Sequence, residues 1–214
     1  MTAHVKPAPL YVGSSGFSYP SWKPGFYPAG TPQREFLGLY SRRLPSVELN
    51  TTGYRLPAEE QFRRWADETP DGFRFAVKMP HPNRLAVFTE RVRILGDKLG
   101  PVRIVVQQAR DDAFLARLLE SLDPAVRWAL DFRHESWSGA ETGRAAVVNA
   151  LDGASSFRYV RLREPPYSDR ALREWADLLR PLLADGVEIY TYFKHEDEPT
   201  APAYAARLLE LANS

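Results

Sequence analysis

The sequence predicts an α/β protein of TIM-barrel-like (β/α)8 type, with the crossover helix after strand 5 shortened or missing. Three observations point there. Short β-type runs alternate with helix-type runs almost from end to end, which argues for a parallel sheet. Seven strand candidates are clear, and Ala145-Ala-Val-Val-Asn149 supplies an eighth. No glycine fingerprint of the dinucleotide-binding kind follows the first strand, so a doubly wound nucleotide fold lacks its signature.

In chain order, Met1-Thr-Ala-His-Val-Lys-Pro-Ala-Pro9 has no apolar core. It is expected to be a flexible arm and not a signal peptide, with a single domain over residues 10–214. Strand 10–13 ends in Gly13-Ser-Ser-Gly16, which leads into the loop Phe17-Ser-Tyr-Pro20 rather than into a helix. It reads as a strand-end turn, with a phosphate contact through Ser14 kept open. Phe17, Tyr19, Trp22, Phe26, Tyr27 and Tyr54 are read as packing the first two loops onto the barrel rim, while stacking on a sugar or base stays open. Helix 34–43, strand 46–50 and helix 59–67 follow. In that second helix Phe62, Trp65 and Ala66 form one stripe, and Glu59, Arg63, Arg64 and Asp67 face water. Trp65, like Trp175 further on, is read as a core anchor. Strand 73–78, helix 89–99, strand 103–107, helix 112–122 and strand 127–133 continue the alternation. Between Trp137 and Arg144 lie only Ser-Gly-Ala-Glu-Thr-Gly, and a parallel crossover takes about a dozen residues. Strand 5 therefore passes to strand 6 without a covering helix. Trp128, Leu130 and Phe132 then need a loop, a neighbouring helix or a partner subunit over them, and a homodimer through strands 5 and 6 is one expectation. Strand 157–162, helix 169–184, strand 187–193 and helix 203–211 complete the chain.

Composition narrows the chemistry. A net charge of +1 offers no global field for nucleic acid or anionic lipid, so any basic site must be local. The absence of cysteine removes disulfides, thiolate nucleophiles, iron–sulfur clusters and Cys-type zinc sites. No window approaches the roughly 18 apolar residues of a membrane span, and a cytoplasmic protein without a membrane partner is expected.

Ionisable residues gather at the carboxyl ends of the strands. Glu48 and Asn50 share a face of strand 2. Lys78 lies opposite Phe73, Phe75 and Val77. Gln107 ends strand 4, Asp131, Arg133 and His134 end strand 5, and Arg161 shares a face with Tyr159. The larger apolar faces should meet the helices, which turns the polar set inward and toward the mouth where barrel enzymes keep their sites. One polar strand end alone would be a solvated cap; four strands doing the same thing indicate a site.

Tyr11-Val-Gly-Ser-Ser-Gly-Phe-Ser-Tyr-Pro-Ser-Trp22, Val47-Glu-Leu-Asn-Thr-Thr-Gly-Tyr-Arg-Leu-Pro57, Gly72-Phe-Arg-Phe-Ala-Val-Lys78, Leu95-Gly-Asp-Lys-Leu-Gly-Pro101, Asp131-Phe-Arg-His-Glu-Ser-Trp137 and Tyr159-Val-Arg-Leu162 resemble the domain-of-unknown-function 72 family over nearly the whole chain. The resemblance implies a TIM-barrel-like fold and no particular activity. The chain departs from the family's usual pattern in places: Asp131 stands where Glu is usual, Arg163-Glu164 where His-Gly is usual, and Lys194-His195 where Asn-Asn is usual.

Lys78, Arg133 and Arg161 form a convergent cationic set suited to phosphate or carboxylate. Ser14, Asn50 and Gln107 are candidate ligand contacts beside them. Glu48 and Asp131 are the candidate acid–base carboxylates. His134 is a further acid–base candidate, although its alternation points it to the outer face unless the strand has ended. A small anionic ligand is therefore expected. His81, His134 and His195 could reach the mouth, yet no His-x-His or His-Glu-x-x-His spacing marks a metal pair, and three nearby cations would repel a divalent ion. The sequence assigns no metal ligand and no cofactor, and leaves metal-assisted phosphodiester chemistry and nucleic-acid or protein binding as alternatives.

Overall fold

A computed structural model describes residues 8–53, 56–80 and 84–214. Its strands are β1 (Leu10–Ser14), β2 (Ser46–Leu49), β3 (Arg74–Lys78), β4 (Leu99–Val106), β5 (Trp128–Phe132), β6 (Ala146–Val147), β7 (Phe157–Leu162) and β8 (Glu188–Phe193). The helices α1 (Phe36–Ser41), α2 (Glu59–Asp67), α3 (Leu85–Val92), α4 (Asp112–Ser121), α5 (Asp169–Ala184) and α6 (Thr200–Ala212) follow β1, β2, β3, β4, β7 and β8. All pairings are parallel, in one sheet ordered β1-β8-β7 and another ordered β2-β3-β4-β5-β6. β1 also lies beside β2, and β6 beside β7. The architecture is TIM-barrel-like, as the alternation implies.

Alternation along each strand divides the core in two. Val12, Val47, Phe75, Ile104, Leu130, Val160 and Ile189 face outward into the main apolar cluster with the helices. Tyr159, Tyr190 and Tyr192 face inward and fill the lumen against Ala76, Ala129 and Ala146. Large side chains from one wall meet small ones from the other, which lets the interior reach close packing. Buried phenols need partners, and Tyr192 finds one in Ser46 Oγ at 2.6 Å, which in turn donates to the Arg74 carbonyl at 2.7 Å.

Side chains bridge the two seams between the sheets. At β1/β2, a Cβ on Gly13 would lie 1.9 Å from the Ser46 carbonyl oxygen, so only glycine allows the approach. The Tyr40 hydroxyl completes that seam, accepting from Ser14 N–H at 2.8 Å and donating to Ser46 O at 3.0 Å. At β6/β7, Asn149 sits at φ 69°, a left-handed conformation that asparagine tolerates. Its N–H donates to Tyr159 O, its Oδ1 accepts from Arg161 N–H and its Nδ2 donates to Arg161 O. One amide side chain thus acts as a rung of the ladder, and β6 pairs over two residues rather than the five expected.

The helix after β5 is absent as expected, and the one after β6 is absent too. A short 3-10 turn, Glu135–Trp137, follows β5. Trp137 stacks on Phe132 with ring centroids 4.6 Å apart, and its indole N–H reaches Gln108 O at 2.7 Å. Trp128 and Leu130 are buried within the chain itself. Arg158, outward on β7 yet 7% exposed, donates to the carbonyls of Leu151, Gly153 and Ser155. It holds the loop that stands where a helix would be. A groove of about 570 Å³ remains there, lined by Trp137, Ala140, Thr142, Val147 and Ala154.

Two boundaries move. Helical character stops at Val92, and 3-10 turns run to Lys98 with Gly96 at φ 55° between them. The chain is then extended from Leu99, so Arg103 falls in the middle of β4 and not at its start. At the other end, Ala8 and Pro9, placed in the expected arm, bond to Leu183 O and Ile189 N–H.

Candidate functional site

Arg103 is the centre of the mouth. β4 carries it inward between outward Val102 and Ile104, and its side chain is 2% exposed. A guanidinium so deep is tolerable only when its donors are met by charge. Nε donates to Glu48 Oε1 at 2.7 Å, Nη1 to Asp131 Oδ2 at 2.6 Å and Nη2 to Asn50 Oδ1 at 2.9 Å. Asn50 closes the ring by donating Nδ2 to Glu48 Oε2 at 2.9 Å. Three strand ends, β2, β4 and β5, are thereby locked in register by one side chain.

β7 supplies a second layer. Tyr159 donates its hydroxyl to Glu48 Oε1 at 2.7 Å, and Arg161 Nη2 lies 2.7 Å from Glu48 Oε2. Two residues on, with the same parity, Arg163 Nη2 reaches Asp131 Oδ2 at 2.7 Å, and Arg133 Nη2 reaches the same oxygen at 3.0 Å. Lys78 rises from the end of β3. Its stem lies over Gly53, where a Cβ would come within 2.6 Å of it. Its charge is felt alongside those of Arg103, Arg161 and Arg133.

The electrostatics follow from this geometry. Burial alone would raise the Glu48 carboxyl, but Arg103, Arg161 and the Tyr159 and Asn50 hydrogen bonds outweigh it and hold the group down at about 2. Burial lowers Lys78 from the usual lysine range, and the guanidiniums of Arg103, Arg161 and Arg133 lower it further against the pull of Glu48. Arg133 is lowered by burial and by its cationic neighbours, with Asp131 opposing. Five cations meet two carboxylates at one mouth. Arg161 and Arg163 each keep a buried Nε–H with no acceptor among the described residues.

Of the residues singled out from the sequence, Glu48, Asn50, Lys78, Asp131, Arg133 and Arg161 come together here. Ser14 stands at the end of β1, but its hydroxyl is taken by Gly16 O at 2.7 Å and Tyr40 Oη at 3.0 Å, so it serves the seam. Gln107 is exposed past the end of β4. His134 is also exposed and turned away. Its Nδ1 accepts from Ser136 N–H at 3.2 Å and lies 2.8 Å from Ser136 Oγ, capping the 3-10 turn. That geometry assigns it a local structural role, in keeping with its outward alternation. His81 and Tyr54 lie outside the described residues. Of the other loop aromatics, Trp22 and Tyr27 are fully buried, and Tyr27 stacks on Phe36 at 4.0 Å, so they pack the rim.

Arg103, Tyr159 and Arg163 are the partners that sequence reasoning did not assign to the site. A lone arginine inside the apolar run Val102-Arg-Ile-Val-Val106 was the available signal for the first. Among the described residues no three His, Cys, Asp or Glu side chains are placed to share a metal ion. Both Glu48 oxygens and Asp131 Oδ2 face guanidiniums instead. No helix among the described residues is long and apolar enough to cross a membrane.

Comparison with known proteins returns one family. The family model described as a protein of unknown function, DUF72, matches residues 11–214. The UPF0759 protein YecE of Escherichia coli K12 is 29% identical over 139 residues, covering 58% of this chain and 48% of that protein. The UPF0759 protein YunF of Bacillus subtilis is 32% identical over 69 residues, covering 32% of this chain and 23% of that one. The aligned part thus takes in about half or less of these relatives' length. Among solved structures, a DUF72 family protein of Enterococcus faecalis superposes with a TM-score of 0.76 at 15% identity, covering 96% of each chain. Another from Thermotoga maritima gives 0.73 at 24% identity, covering 96% of this chain and 99% of that one.

Proposed function

This chain belongs to the DUF72 family, and from that premise, which sets the fold and leaves the activity open, we propose that the strand mouth is an active site for a small phosphate- or carboxylate-bearing molecule. One observation supports this most: the buried Nε–H groups of Arg161 and Arg163 lack acceptors among the described residues, in a cluster of five cations and two carboxylates. Buried donors without partners are rare and costly, and an oxyanion would satisfy both while offsetting the excess charge.

In this reading the carboxylates position the site and the cations bind. Glu48, held ionised with both oxygens engaged, is a poor proton acceptor, and Asp131 already takes three guanidiniums on one oxygen. They fix the planes of Arg103, Arg161 and Arg163. Lys78 is the acid–base candidate of the set, since burial and its neighbours bring its neutral form nearer to ordinary pH. A thermal-shift screen of phosphorylated and carboxylated metabolites tests the proposal. It should find a stabilising ligand whose effect is lost in Lys78→Ala and Arg161→Ala. A ligand whose effect survives in both variants would remove the assignment.

A further inference from the structure

We infer that the ligand of this mouth carries two anionic groups, as a phosphorylated carboxylic acid does, a phosphate meeting Arg161 and Arg163 and a carboxylate meeting Arg133. The inference rests on the anion-site reading above and names the ligand class for it. It starts from charge. Arg103, Arg133, Arg161, Arg163 and protonated Lys78 bring five positive charges to the mouth, and Glu48 and Asp131 bring two negative ones. Three positive charges remain, crowded where water screens them less than at an open surface. A carboxylate offsets one of them. A phosphate monoester, with its second pKa near 6, offsets about two at neutral pH. A ligand that bears both groups offsets all three.

Geometry divides the cations in the same way. Inward residues recur at every second position of a strand, so Arg163 stands one inward step nearer the opening than Arg161, and Arg133 one step nearer than Asp131. Ladder bonds from Arg133 N–H to Val106 O at 2.9 Å and from Lys194 N–H to Leu162 O at 2.8 Å carry the parallel register up to both upper residues. Side-chain exposure rises in that order, from 10% at Arg161 to 28% at Arg163 and 38% at Arg133. Arg161 and Arg163 each hold a carboxylate by Nη2 and keep a buried Nε–H without an acceptor among the described residues, so the deeper group belongs to them. Arg133 is engaged differently. Its Nη2 lies 3.0 Å from Asp131 Oδ2, an oxygen that already accepts from Arg103 at 2.6 Å and from Arg163 at 2.7 Å. Among the described residues that is the one polar contact of its side chain. Three guanidiniums share this oxygen, and Arg133 is the farthest from it and the most exposed. It has donors to spare. A planar carboxylate can take two of them side by side, which a single phosphate seated on the deeper pair does not.

Two probes with one carbon skeleton isolate the second group: glycerol 3-phosphate, and 3-phosphoglycerate, in which a carboxylate replaces the terminal hydroxymethyl. Calorimetric titration of the full chain with each, at slightly alkaline pH and constant ionic strength, measures the difference. 3-Phosphoglycerate should bind about tenfold tighter or more, as charge-assisted hydrogen bonds to one guanidinium imply. In Arg133→Met the two probes should bind within about threefold of one another, whereas Arg161→Ala should weaken both alike. The comparison in the wild type needs no variant to fold. Equal affinities there would refute the second anionic group while the anion site stands. A preference that survives in Arg133→Met would refute the role of Arg133. If neither probe binds, or if Arg161→Ala binds both as the wild type does, the anion site falls and this inference with it.

Discussion

Arg103 shows how much one side chain can organise. Its fork reaches Glu48, Asn50 and Asp131 on two other strands, so its removal leaves two buried carboxylates short of charge. Breaking such a network from one side typically costs about 3–5 kcal/mol. Arg103→Met should lower stability to chemical denaturation by about that much, and Glu48→Gln should lower it as well, because Arg103 and Arg161 then lose the charge that meets their donors. Acid titration gives an independent check. The folded-state carboxyl of Glu48 lies at about 2 against an ordinary 4.5, so its contribution is complete above the ordinary value and disappears as pH falls toward 2. The urea midpoint should fall over that window in the wild type and less steeply in Glu48→Gln. Most of this cluster was legible: the alternation that put Glu48, Lys78, Asp131 and Arg161 on inward faces is a local property of each strand. Arg103 was not, because the sequence reading began β4 at that residue, and a charged residue at a strand start passes for a solvated cap. Arg163 shares the parity of Arg161 and could have been read; it meets Asp131 at 2.7 Å.

At the level of elements, side chains reinforce the two seams between the sheets. The Tyr40 hydroxyl relays between Ser14 N–H and Ser46 O, joining three buried polar groups. Tyr40→Phe keeps the ring and removes the relay. It should destabilise the protein by about 1–3 kcal/mol, the cost of leaving buried backbone groups unpaired, and hydrogen exchange at the Ser14 amide should accelerate. Undiminished protection there would show that β1 and β2 pair without the phenol. The missing crossover after β5 could be read from a residue count alone. What covers β5 could not, since Trp137 on Phe132 and Arg158 on the loop carbonyls are contacts set by the folded chain. Arg158 occupies an outward strand position that alternation assigns to apolar residues. Only the loop it serves accounts for its charge.

Across the whole molecule, charge is nearly balanced at +1 while the mouth gathers five cations against two carboxylates. The field of that cluster is therefore local, and its reach shortens with ionic strength. Fold and site rest on the same residues: Arg103, Glu48 and Asp131 join the strands and also aim Arg161 and Arg163 at the opening. Electron density at the mouth in crystals grown with inorganic phosphate tests this most directly. Phosphate oxygens within hydrogen-bond distance of Arg161 Nε and Arg163 Nε are predicted, with the bridges from Arg103 to Glu48 and Asp131 intact. A divalent metal held by Glu48 and Asp131, or phosphate bound elsewhere with the mouth left to water, would contradict the account.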